Sequence, residues 1–286
     1  MRKVFTKLMP SIFFLMIFAS CDKEVDNIGY PKYNQKIVIS GFLSPDNKVN
    51  KILISENLSL YGNRFLPQPL GTLTATISDG TNEMSLDSAQ FMNGFTSSDY
   101  PIIEGKTYTI TVKTDKGLAA EASCTVPLKR NLSLEIDTSL TVNYNPDYGS
   151  YTYINADIYF TDTQGTDNYY MFYCEQVTYI SKWSSTPNIF EISGPEKAYF
   201  TDNGKDGARF KMTLQPVGVG SDGDSSFLKV YLLNTDKAYY DYKKSLDNYN
   251  SGDDPFTEPS PVYTNVTGGL GIFAAYTTDS LIFRLK

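Results

Sequence analysis

Cys21 is placed for one particular reaction. It follows Phe18-Ala19-Ser20 at the end of an apolar run from Ile12 to Ala19, and that run is preceded by Arg2, Lys3 and Lys7. A basic start, a short apolar core and small residues before a cysteine make the pattern of a bacterial lipoprotein signal, in which residues 1–20 are removed and the thiol is acylated. The apolar core is too short to cross a bilayer, which takes roughly 20 residues. Several acyl chains, at about 0.8 kcal/mol per buried CH₂, hold a protein durably at a lipid bilayer. The expectation is therefore a chain tethered through Cys21 and facing water outside a membrane.

Other reactive patterns are thinner. The sequence contains no histidine, which removes His general bases and the Ser-His-Asp and Cys-His triads, together with nearly all catalytic zinc sites. Asp202, Asp206 and Gly207 fit positions one, five and six of an EF-hand loop, but Gly204 and Thr213 stand where two further ligands belong. What is left is a looser calcium candidate drawn from Asp202, Asp206, Asp222 or Asp224, against the reading of ordinary solvated turns. Ser226-Phe227-Leu228-Lys229 matches the S-x-x-K pattern of acyl enzymes. In a strand, however, it sends Ser226 and Lys229 to opposite faces. No cofactor is expected.

Tyrosine is abundant, with 22 in the chain and a single tryptophan, Trp183. Tyr144, Tyr148, Tyr151 and Tyr153 form one group, and Tyr169, Tyr170, Tyr173, Tyr179 and Trp183 another. Such rings offer stacking faces for sugars or anchors for a protein partner, with Trp183, Tyr179, Tyr151 and Tyr153 the binding candidates. Tyrosine is also simply a good strand residue, which is the competing explanation.

Period-two alternation dominates the elements that would carry these residues. From Thr107 to Lys113, Tyr108, Ile110 and Val112 share one face. After the Asp115-Lys116-Gly117 turn, Leu118, Ala120, Ala122, Cys124 and Val126 share another, which sends Cys124 into a core. Further strands are expected over 36–43, 73–78, 151–160, 169–180, 208–214 and 227–233. One helix is expected after Asn234, read as its cap, with a stripe of Tyr239, Tyr242, Leu246 and Tyr249. The fold class is all-β and mainly antiparallel. It consists of a tether over 21–34, an immunoglobulin-like or transthyretin-like sandwich over 35–128, and a β-rich domain with one short helix over 129–286. Without the leader's three positive charges the net charge moves from −7 to −10, which speaks against nucleic acid as a partner. Cys124 and Cys174 are too few for a disulfide framework; they either pair or stay buried as thiols.

The segment after the helix is the most distinctive. Asp253-Asp254-Pro255-Phe256-Thr257-Glu258-Pro259, then Pro261-Val262-Tyr263-Thr264-Asn265-Val266 and Gly268-Gly269-Leu270-Gly271-Ile272-Phe273 resemble the C-terminal signature of a family of Bacteroidota outer-membrane lipoproteins, domain of unknown function 4249. Val38-Ile39-Ser40-Gly41-Phe42 and Glu104-Gly105-Lys106-Thr107-Tyr108-Thr109-Ile110 resemble its earlier strands. The resemblance implies a role beside a TonB-dependent receptor in the outer membrane and brings no catalytic residues. Asp22, Glu24 and Asp26 after the cysteine resemble the export signal for the cell surface, although Lys23 interrupts the run and leaves the periplasmic face open. Independently of any family, the prolines should stiffen an extended path, and Gly268, Gly269 and Gly271 should permit close packing before Ile272 and Phe273 re-enter the core.

The expected function is a non-enzymatic, lipid-anchored accessory or ligand-binding partner of such a receptor. Two alternatives stand beside it: a carboxylate-based glycan hydrolase, which needs only two acidic residues, and a purely structural envelope lipoprotein.

Overall fold

Alternation in sequence becomes alternation in burial. In β5 (Thr107–Thr114) the side chains of Tyr108, Ile110 and Val112 are fully buried, and in β6 (Ala119–Thr125) those of Ala120, Ala122 and Cys124 are buried opposite them. The computed structural model describes residues 34–58, 69–87, 94–147, 149–180, 187–192, 198–219, 225–250 and 260–285. With β3 (Leu73–Ser78) and β4 (Glu83–Leu86), these strands form a sheet in the order β4-β3-β5-β6. Its apolar face packs on β1 (Ile37–Leu43) and β2 (Ile52–Glu56), so that Ile37, Ile39, Leu43 and Ile52 share a core with Tyr108 and Ile110. The result is a β-sandwich.

A second core lies between other strands. β7 (Glu135–Asn145), β8 (Gly149–Thr161), β12 (Arg209–Thr213) and β13 (Val217–Gly218) make its first layer. Opposite them are β9 (Tyr169–Tyr179), flanked by β10 (Asn188–Ile192) and β11 (Tyr199–Thr201), and β14 (Ser225–Thr235). Ile158 and Phe160 meet Phe172, Cys174, Leu228 and Val230 across this gap.

One strand serves both cores. β15 (Leu270–Arg284) runs parallel to β1 through Leu270–Ala275 and antiparallel to β14 through Tyr276–Arg284. It thereby fuses the strands into one sheet in the order β10-β9-β14-β15-β1-β2 among the described residues. Phe273 and Ala275 enter the first core, whereas Leu281 and Phe283 pack against the second. Strands from both sides of position 128 therefore share a sheet, and the described residues from Gln35 onward form one compact unit.

The parallel contact depends on a glycine. Gly271 has φ +105°, and a Cβ there would sit 2.0 Å from the Ile39 carbonyl oxygen, so only a residue without a side chain fits. Just before it, Thr267 and Glu121 exchange both backbone hydrogen bonds, at 2.8 and 2.9 Å, on the free edge of β6. The glycine-rich segment thus closes a sheet edge and then returns Ile272 and Phe273 to the interior.

The single helix among the described residues, α1 (Lys237–Asn250), starts later than the sequence suggests. Asn234 does not cap it; it still lies in β14, paired with Tyr170 and Thr277. Asp236 caps instead, its Oδ1 accepting the Tyr239 amide proton at 2.9 Å. Tyr239 is buried and Tyr242 half-buried against the sheet, while Tyr249 at the far end is half exposed.

Candidate functional site

β14 shows how the sheet builds its outer face. Leu228, Val230 and Leu232 fill the second core, so Tyr231 must point the other way. There it stacks on Tyr173 of β9, with centroids 4.5 Å apart and planes 12° apart. Tyr276 of β15 and Tyr239 of α1 follow, 5.9 Å apart, and Phe42 of β1 lies 4.6 Å from Tyr239. Four tyrosines thus line a cleft of about 490 Å³, floored by Met171 and Leu233.

The rim is polar and held by the β1–β2 turn. Asp46 receives the Lys129 ammonium at 2.6 Å and the Thr278 amide proton at 2.7 Å. The Tyr276 hydroxyl donates to Asn47 Oδ1 at 3.0 Å. Ser280 completes the outer edge. Burial pushes the Tyr173 hydroxyl up to about 12, with Tyr231 and Glu175 adding to the effect, and burial raises Tyr231, Tyr239 and Tyr276 as well. Near neutral pH the cleft therefore presents uncharged rings with O–H donors. The lining is at least as polar as it is apolar, so at this volume the cleft suits a small ligand that pairs an apolar face with hydrogen-bonding groups.

A separate acidic group gathers beneath the turns that join β8 to β9 and β11 to β12. Carboxylate oxygens of Asp162, Asp202 and Asp206 lie within 4.8 Å of one another, with Asp162 and Asp202 buried. Neutral donors surround them. Asp162 Oδ1 accepts from the Tyr170 hydroxyl at 2.5 Å and from Asn168 Nδ2 at 3.1 Å, and its Oδ2 accepts from the Gly207 amide at 2.9 Å. Asp202 Oδ2 accepts from the Asn168 amide and side chain, at 3.0 and 3.1 Å. Gly165 donates to Asp206 Oδ1 at 2.9 Å. The donor set is one a hard cation accepts, and the same bonds also staple the two turns together without one. Burial, then the bond to Asp162, raise the Tyr170 hydroxyl far above its ordinary range.

The residues singled out by sequence fall in several places. Asp202 and Asp206 come together with Asp162, whose part the sequence did not suggest, while Asp222 and Asp224 lie outside the described residues. Cys21 and Trp183 also lie outside them. Tyr151, 39% exposed, packs edge-on against Tyr153 at 5.1 Å on β8, and Tyr179, 43% exposed, meets Phe227 at the end of β9. Tyr151, Tyr153 and Tyr179 do not line the tyrosine cleft. Its own residues had a readable signal in part: the parity of β14 exposes Tyr231. Nothing local brings Tyr276 beside Asn47, 229 positions away. Cys124 and Cys174 are free thiols buried in different cores, which answers whether they pair. Ser226 is buried and bonded to Gln176 and Thr178, away from any acyl-enzyme arrangement with Lys229.

Among the described residues no helix is long and apolar enough to cross a membrane. A family model described as "Domain of unknown function (DUF4249)" matches residues 23–282. No curated protein and no solved structure matches.

Proposed function

The chain belongs to the DUF4249 family, and from that premise we propose a non-enzymatic, ligand-capturing lipoprotein, anchored through Cys21 and working beside a TonB-dependent outer-membrane receptor. The anchor rests on the leader pattern that ends at Cys21. The receptor rests on the resemblance of the glycine- and proline-rich C-terminal segment to lipoproteins with that company. The acidic residues Asp22, Glu24 and Asp26 favour the cell surface. A single observation carries the capturing role: the four-tyrosine cleft of about 490 Å³, set on a rigid sheet and rimmed by the Asp46–Lys129 pair.

In the tyrosine cleft a glycan hydrolase is less well supported. That chemistry asks for two carboxylates about 5 to 9.5 Å apart in one cleft. The tyrosine cleft offers Asp46, already engaged by Lys129 and the Thr278 amide. The receptor claim is tested by extracting tagged, lipidated protein with a mild detergent and identifying what accompanies it. An outer-membrane transporter in stoichiometric yield is expected, and its absence removes the partner.

A further inference from the structure

A second cavity, of about 380 Å³, opens between α1 and the turns that follow β8 and β11. Lys237, Tyr240, Asp241 and Lys244 face it from the helix, at the i, i+3, i+4 and i+7 positions of one side. Asp167, Tyr169, Asp202 and Asn203 face it from the turns and β9. It shares no lining residue with the tyrosine cleft.

We propose that this cavity binds a neutral saccharide. The rings of Tyr169 and Tyr240 lie 5.4 Å apart with their planes tilted by 46°, and both are half-buried, so each offers a face against which the C–H side of a sugar ring can stack. Around them the lining mixes carboxylates, amides and ammonium groups. A sugar hydroxyl both donates and accepts, so it is satisfied by such a mixture, whereas a purely apolar ligand leaves the polar groups unpaired. Charge narrows the choice further. Three carboxylates (Asp167, Asp202, Asp241) stand against two ammoniums (Lys237, Lys244), which leaves one excess negative charge and disfavours phosphate or carboxylate ligands. The two lysines in turn oppose a divalent cation.

The polar groups are also set in advance. Asn168 fixes Asp202 through two hydrogen bonds, and the Lys237–Asp241 pair is closed at 2.5 Å. Tyr199 braces Tyr240 edge-on at 5.5 Å. Groups already positioned lose little freedom on binding.

The test is calorimetric titration of the folded protein with cellobiose, maltose and diacetylchitobiose, with inorganic phosphate and calcium chloride titrated separately. At least one disaccharide should bind, and Tyr240→Ala should weaken it by about tenfold or more, the loss of one stacking face. Asp241→Asn should weaken it as well and alters a pair between a half-buried aspartate and the exposed Lys237, outside the apolar cores, so it serves if Tyr240→Ala does not fold. Tyr231→Ala, in the other cleft, should bind the disaccharide as the wild type does. The proposal is overturned if no disaccharide binds, if phosphate or calcium binds in their place with the same dependence on Asp241, or if Tyr231→Ala and not Tyr240→Ala abolishes binding.

Discussion

Asp236 joins two elements through one side chain. Its Oδ1 caps α1 and its Oδ2 accepts the Ala275 amide proton at 3.1 Å, adding a side-chain rung to the end of the β14–β15 ladder. Desolvation pushes its carboxyl up to about 7, ahead of the two N–H bonds that pull the other way. In an unfolded chain the group titrates near 3.9. Between about pH 4 and pH 7 the folded protein therefore holds a proton that the unfolded chain has lost, so the stabilisation is complete below about pH 4 and disappears as pH rises through 7. Urea unfolding at about pH 5 and pH 8 should show the wild type losing stability across that step. Asp236→Asn cannot titrate and should lose less; an equal loss in both proteins would show that Asp236 carries no part of the dependence. The same variant should be less stable at low pH by about 1 to 2 kcal/mol, because its amide nitrogen cannot accept the Ala275 proton.

At the scale of elements, β15 decides whether the sheet closes, and Gly271 decides whether β15 can approach β1. Gly271→Ala should cost about 3 kcal/mol or more, since both the positive φ and the Ile39 carbonyl oppose a methyl group. Gly117→Ala is the comparison: its φ is +82° but nothing lies within 4 Å of the added carbon, so only the backbone term of about 1 kcal/mol applies. Similar costs in denaturant unfolding would contradict the close approach. Strands such as β3, β5, β6 and β9 were readable because burial on one face writes a period of two into the residues. β7 was not, because its side chains from Thr138 to Tyr144 are exposed on both faces and no alternation is imposed on them. β11 and β13, of three and two residues, are too short to carry a pattern. The cap was misplaced by two residues because Asn234 and Asp236 are both good caps, and only the length of the β14–β15 ladder chooses between them. The tyrosine cleft needed the parallel pairing of β1 with β15, a contact across more than 230 positions that no local pattern encodes.

Among the described residues the two sandwich cores share one sheet, beside a third, smaller cluster under α1, and β15 supplies apolar side chains to each. Disturbing one core should therefore be felt in the other. The protein contains its own reporters, since Cys124 lies in the first core and Cys174 in the second. Burial raises both thiols, Cys174 to about 12, so neither reacts as a thiolate until its core opens. In a Cys21→Ala background, labelling by a thiol reagent across a urea series should give one midpoint for both positions. Two separate midpoints would mean that the cores open independently. The cleft wall belongs to the same shared sheet, because Tyr173, Tyr231 and Tyr276 come from its adjacent strands β9, β14 and β15. The central claim is that this wall captures a ligand, and native mass spectrometry of the protein, drawn in mild detergent from the cells that make it, addresses it directly. The wild type should carry a small-molecule adduct that a folded Tyr173→Ala/Tyr231→Ala variant lacks, and a bare wild type or an adduct kept by the variant would contradict capture by the tyrosine cleft.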